Sequence, residues 1–336
     1  MNPTIEIEQL STGYRGKKRT KVVATNIDAQ ICSGELTCLL GSNGVGKSTL
    51  LKTICNFLPP LHGQIHIMGR LLGGYTDAAL AKVISVVLTD KLMIRNMRVD
   101  ELVSLGRSPY TGFWGVISNT DRAIVQHALQ LVGIPHLAHR MIHTLSDGER
   151  QKALIAKALA QETPIILLDE PTAFLDYPSK VDMMQLLHRL SRKENKTIFM
   201  STHDLELALQ IADKIWLLDK EKAVQVGTPE DLALQKILHR FVSHQGIQFD
   251  SPSGLFRVAY SYHHTIAVEG SGDAYHLLCK GLNRHGIATD SQKEMPTIPI
   301  TVYCQEGRRP AFHVRTSKET IVHSIEEVLQ LVEKHL

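Results

Sequence analysis

The residues best suited to chemistry are Gly41-Ser42-Asn43-Gly44-Val45-Gly46-Lys47-Ser48-Thr49, which match a phosphate-binding loop at every fixed position. Its glycines let backbone N–H groups turn inward around phosphates where a side chain would block approach. Lys47 supplies a cation for the β- and γ-phosphates, and Ser48 supplies a hydroxyl ligand for Mg²⁺. A helix starting at Lys47 adds the partial positive charge of its N-terminus. Farther on, Ile165-Ile166-Leu167-Leu168-Asp169-Glu170 reads as a core strand delivering two carboxylates to its end. Asp169 is placed to hold Mg²⁺ through water, and Glu170 to accept a proton from an attacking water. Together these residues have the chemistry to hydrolyse ATP.

Between the two motifs stands Leu145-Ser146-Asp147-Gly148-Glu149-Arg150-Gln151. Ser146 can cap the following helix, and a Ser hydroxyl with the Gly148 N–H at a helix start makes a receptor for a γ-phosphate. In motif order the chain resembles the nucleotide-binding subunits of ABC transporters, over about residues 5–245. Within that family it is most similar to ATPases of importers for iron–siderophore complexes, haem and vitamin B12. The residues carrying that likeness are 102–110 (Leu-Val-Ser-Leu-Gly-Arg-Ser-Pro-Tyr), Asp147-Gly148-Glu149-Arg150-Gln151 and Ser201-Thr202-His203-Asp204.

The resemblance implies further roles. Tyr14 would stack on adenine. Asp176 would communicate across a homodimer in which Ser146 and Gly148 of one copy reach the triphosphate held by Lys47 of the other. His203 would touch the γ-phosphate and sense hydrolysis. Integral-membrane permease subunits and a substrate-binding protein would be partners, and the chain would sit on the cytoplasmic face of the membrane. One position departs from the family. Where a Gln usually ligates Mg²⁺, this chain has Thr89, whose shorter side chain still offers an oxygen.

The elements that must position these residues follow from hydrophobic pattern. Alternation over residues 5–10 and 22–31 predicts antiparallel strands. The unbroken apolar run at 36–40 predicts a strand covered on both faces, leading into the phosphate loop and a helix over 47–57. Strands are expected at 65–68, 83–88, 165–168, 197–201 and 215–218, with helices at 178–194 and 204–212. The fold class is α/β, a P-loop NTPase of ABC type with a mixed sheet core, an antiparallel β subdomain and an inserted helical subdomain at about 95–143. Tyr110, Phe113 and Trp114 in that insertion are candidates for a groove receiving a permease helix, or for core positions.

A separate small α/β domain is expected over 246–336, after an ATPase domain over 1–245. It would contain strands at 255–260, 265–268, 299–304 and 311–315 and a helix at 273–285. A final helix would be capped by Thr316 with Glu319, its apolar stripe formed by Ile321, Ile325, Val328 and Val332. A dimer-stabilising or regulatory role is the expectation for this domain. The glycine turn Gly270-Ser271-Gly272 could cradle a phosphate or another small anion, and the seven histidines from His263 onward show no convincing metal-ligand spacing.

Composition narrows the function classes. A net charge of only +3 makes nucleic acid an unexpected partner. No apolar run reaches the length of a membrane span, and residues 1–10 lack a signal-peptide pattern. Five scattered cysteines fit reduced thiols better than disulfides or a zinc site. The alternative to a transport ATPase is a soluble ABC-type ATPase, or a nucleotide-dependent regulatory module, with no permease. The sequence shows neither the coiled-coil insertions nor the two ATPase halves typical of the soluble class.

Overall fold

A computed structural model of the protein describes residues 3–16, 19–88, 96–112, 115–219, 224–242, 246–250, 254–290, 298–305 and 310–336. The chain divides into two compact units, residues 1–242 with 249–256, and residues 243–248 with 257–336. A cut at 245 therefore misassigns 249–256. Phe249 is buried in the first unit's core, with the Phe256 ring 5.1 Å away.

The site depends on a six-stranded sheet in the first unit. Its order is Gln225–Gly227, Lys214–Leu217, Leu36–Leu40, Thr197–Ser201, Ile165–Asp169 and Ile84–Val87. All neighbours are parallel except the first pair. Every residue of Leu36–Leu40, Ile165–Asp169 and Thr197–Ser201 is buried, which is why these strands read as unbroken apolar runs. Alternate side chains enter two different cores. Leu36, Cys38, Leu40, Ile166, Leu168, Ile198 and Met200 pack with the helices. Leu39, Ile165, Leu167, Phe199 and Trp216 pack toward the second sheet.

That second sheet is antiparallel, in the order Thr20–Cys32, Pro3–Arg15, His62–Ile67 and Arg70–Leu71. Register places Ile5 opposite Ile31 and Ile67, and Ile7 opposite Ile65, so the alternation builds one apolar face. That face meets Leu50, Leu51 and Ile54 of the helix Lys47–Ile54, which fixes the helix that carries the phosphate loop.

The inserted block contains helices Val99–Ser104 and Asn119–Leu131, with single 3₁₀ turns at Leu105–Arg107, Pro135–Leu137 and Ile142–Thr144. It leads into the helix Asp147–Ala160. Arg107 is its anchor. The buried guanidinium meets Asp121 at 2.8 Å, Glu162 at 2.7 Å and the Ala160 carbonyl at 2.8 Å. Gly106 leaves room for this approach, since a Cβ there would lie 2.2 Å from the Lys157 carbonyl oxygen. Tyr110 lies under Arg107, 4.2 Å from ring centroid to guanidinium, and its hydroxyl donates to the Gln161 carbonyl. It is thus tied into the fold; Phe113 and Trp114 lie outside the described residues.

The second unit is a five-stranded sheet in the order Ile287–Asp290, His264–Glu269, Thr301–Gln305, Ala311–Arg315 and Glu319–Val322. Helices Gly272–Arg284 and Ile325–Glu333 cover it, and Ile266, Val302, Phe312, Leu278 and Val328 centre its core. The cap expected at Thr316 is corrected. Residues Glu319–Val322 are a strand, and Ser324 with Glu327 forms the capping box one segment later. Ile321, expected in the helix stripe, is an exposed strand residue. Thr-x-x-Glu and Ser-x-x-Glu occur in tandem here, and β-branched Thr320, Ile321 and Val322 pair with the neighbouring strand.

All five cysteines are free thiols. No helix among the described residues is long and apolar enough to cross a membrane.

Candidate ATP-hydrolysing site

Three neighbouring parallel strands release their loops at the same sheet end. Leu36–Leu40 leads to the phosphate loop, Ile165–Asp169 to Glu170, and Thr197–Ser201 to His203. The loop needs its glycines for definite reasons. Gly44 and Gly46 have φ of +74° and +114°, and a Cβ on Gly41 would lie 2.7 Å from Val45 Cγ1. Ser42 and Asn43 lie in the turn between them, and Val45 is buried.

Lys47 is 5% exposed and curls back so that Nζ donates to the Gly41 carbonyl at 2.9 Å. Burial lowers its pKa from the usual lysine value, and Glu170, then Asp169, pull it back up. Ser48 Oγ donates to Asp169 Oδ1 at 3.2 Å. Thr49 faces Tyr14, their hydroxyls 3.2 Å apart, and the Tyr14 side chain is 45% exposed. That exposure leaves its ring accessible beside the loop.

Asp169 and Glu170 are separated by a backbone reversal, with φ of +49° at Glu170. Ser201 stabilises the reversal from the adjacent strand. Its Oγ donates to Asp169 Oδ1 at 2.6 Å and accepts from the Glu170 N–H at 3.0 Å. Sequence reasoning gave Ser201 no role. The signal was its place two residues before His203, at the end of a strand that registers Asp169 directly opposite Ser201.

His203 Nε2 lies 2.5 Å from Glu170 Oε1 and 3.3 Å from Lys47 Nζ. So short an approach to a carboxylate requires a proton between the two atoms. Nε2–H therefore donates to Oε1, while Lys47 Nζ donates to the Gly41 and Ser42 carbonyls beside the same ring. Ser48, Asp169, Ser201, Glu170 and His203 thus form one hydrogen-bonded network, with Lys47 Nζ 3.3 Å from its His203 end.

The other predicted residues take separate positions. Ser146 is the exposed N-cap of the helix Asp147–Ala160, accepting from the Glu149 N–H while Glu149 Oε2 accepts from the Ser146 N–H at 2.8 Å. These bonds hold the Glu149 carboxyl below its ordinary range. Asp147 pairs with Arg150 along its own helix, and Gly148 is half-buried. Asp176 caps the helix Tyr177–Lys193 through the Ser179 N–H at 3.1 Å, and the Ser179 hydroxyl, then that N–H, lower its pKa. Thr89 lies outside the described residues.

A phosphate loop feeding a mixed sheet, with an antiparallel sheet on one side and an inserted helical block, defines the chain as a P-loop ATPase cassette. Residues 24–173 match the ABC transporter family model, and residues 263–333 match the iron ABC transporter C-terminal domain. The ferric enterobactin transport ATP-binding protein FepC of Escherichia coli is 36% identical over 245 residues, covering 73% of this chain and 89% of that one. A metal-chelate type ABC transporter in an inward-facing conformation matches at TM-score 0.62 and 28% identity, over 72% of this chain and 90% of that one. A dimeric bacterial ABC transporter cassette matches at TM-score 0.59 and 27% identity, over 67% and 98%. The chain belongs to the ABC transporter ATP-binding family and is an ATPase.

Proposed function

We propose that this ATPase drives uptake of a ferric siderophore or a related metal chelate, as a homodimer bound to integral-membrane permease subunits on the cytoplasmic side. A substrate-binding protein would deliver the cargo. The observation that carries the catalytic half is the hydrogen-bonded network from Ser48 to His203, with Lys47 beside it. The likeness to FepC and the C-terminal match to an iron-transporter domain support the cargo class.

The loop amides and Lys47 bind the triphosphate, and Tyr14 lies against the adenine. Ser48 and Asp169 offer hard oxygen donors within 3.2 Å of each other, a set that suits Mg²⁺, which takes few protein oxygens beside substrate phosphates. Held by Ser48 and Asp169, Mg²⁺ would supply positive charge that offsets the negative charge of the phosphates. Ser201 orients Asp169 for that task. Glu170 takes the proton of the attacking water, and His203, within reach of Glu170 and Lys47, donates to the carboxylate or to the γ-phosphate. Ser146 and Gly148 of the other copy close over that phosphate, and Asp176 carries the change between the copies. Loss of the phosphate removes contacts from both copies, which gives two states of different affinity and hence coupling to transport.

The test is uptake of iron-labelled siderophore in cells lacking this chain. Re-expression of the intact chain restores uptake, and Glu170→Gln does not. Uptake by the deletion strain equal to that of its parent would reject the cargo class. Absence of steady ATP turnover by the purified chain, added without its permease, together with normal uptake on re-expression would reject the mechanism for the isolated dimer.

A further inference from the structure

Helices Gly272–Arg284 and Ile325–Glu333 bury one stripe each against the sheet of the second unit and leave a groove of about 780 Å³ between their other faces. Gly281 sets their closest approach, since a Cβ there would lie 3.2 Å from Ile325 Cγ2. Farther along, His285 Nδ1 meets Glu333 Oε1 at 2.7 Å. The helices therefore run side by side in the same direction, Gly281 level with Ile325 and His285 level with Glu333.

Charge is sorted across this groove. Lys280 and Arg284, one helical turn apart and both exposed, form a basic rim on the first helix. Glu326 and Glu333, also exposed, form an acidic rim on the second. Among the described residues no ion pair engages Lys280, Arg284 or Glu326. Leu277, 54% exposed, adds an apolar side chain to the face. A surface with opposite charges on opposite rims is complementary to itself.

We propose that this two-helix face pairs with the same face on a second copy of the chain, independently of nucleotide. A twofold axis can lie in the plane of such a contact in two ways. An axis across the groove would set basic rim on basic rim. An axis along the groove sets Lys280 of each copy level with Glu326 of the other, and Arg284 level with Glu333. Charge selects the second arrangement. Leu277 and Ile325 then lie between the charged rims, where water is excluded.

The experiment is sedimentation of the full-length protein without nucleotide at low salt. The wild-type chain forms dimers that dissociate as salt rises. Lys280→Glu and Glu326→Lys each weaken association at least tenfold. Mixing the two single variants restores it as a heterodimer, because each altered rim then meets its opposite, and the double variant K280E/E326K restores it in one chain. A wild-type chain that stays monomeric would overturn the proposal, as would single variants that associate normally or a mixture that fails to recover. A permease or other protein as the true occupant would give the first of these results. Adding MgATP to Glu170→Gln tests the nucleotide-dependent dimer separately, so failure of one contact is not mistaken for failure of the other.

Discussion

Glu170 and Ser201 show how much of the chemistry rests on single atoms. Glu170 is held by His203 on its carboxylate and by Ser201 on its backbone N–H. Replacing it with Gln keeps the shape and removes the base, so turnover should fall by about 10²–10⁴ while ATP binding persists. Phosphate release and nucleotide binding by the purified variant measure the two effects separately. Ser201→Ala should act through Asp169 instead. Losing a hydrogen bond to a carboxylate is worth about 1.5–3 kcal/mol, so the KM for MgATP should rise by roughly tenfold or more. A normal KM at low Mg²⁺ would reject the positioning role of Ser201. The carboxylates and the lysine were legible in the sequence because each stands inside a local pattern, the phosphate loop or the end of an unbroken apolar strand. Ser201 was not, because its partner is set by strand register, which no local pattern encodes.

At the scale of elements, two glycines carry close constraints. Gly46 has φ of +114° at the start of the phosphate-loop helix. Gly46→Ala should cost about 1–3 kcal/mol in backbone strain and weaken nucleotide binding, measured by thermal melts and by titration with ATP. Gly106→Ala should cost about 1–3 kcal/mol through the clash with the Lys157 carbonyl, yet leave the site's own bonds intact. Its signature would be a lower Tm with near-normal turnover per folded molecule. Buried parallel strands and amphipathic helices were readable because burial on both faces, or on one, leaves a plain periodic trace. The strand Glu319–Val322 was misread as the start of a helix. A Thr-x-x-Glu box precedes it, and only pairing with Ala311–Arg315 decides against the helix. The strand Ile287–Asp290 was missed for a related reason, being short and paired on one side only.

The whole molecule carries a set of carboxylates whose hydrogen bonds hold their pKa values down. Asp121 is lowered to about 2 by Ser118 and Arg107, and Glu149, Asp176 and Glu327 are lowered by bonds at helix N-termini. Each is more acidic folded than unfolded, so its contribution is complete above the ordinary carboxylate pKa and is lost as pH falls through the folded value. Thermal melts should hold steady near neutrality and drop progressively below about pH 4. Because these groups occur in both units, the loss should appear in each unit's transition. The helix Asp147–Ala160 joins the scales. Its far end is pinned, with Gln161 Nε2 donating to the Ala81 and Ile84 carbonyls and Arg107 holding the Ala160 carbonyl. Its near end carries Ser146, about 20 Å away along the axis. A rod fixed at one end magnifies small tilts at the other, and about 10° about this fulcrum would sweep Ser146 through about 3.5 Å. A nudge too small to disturb the packing around Arg107 is therefore enough to bring the tip into or out of hydrogen-bonding range.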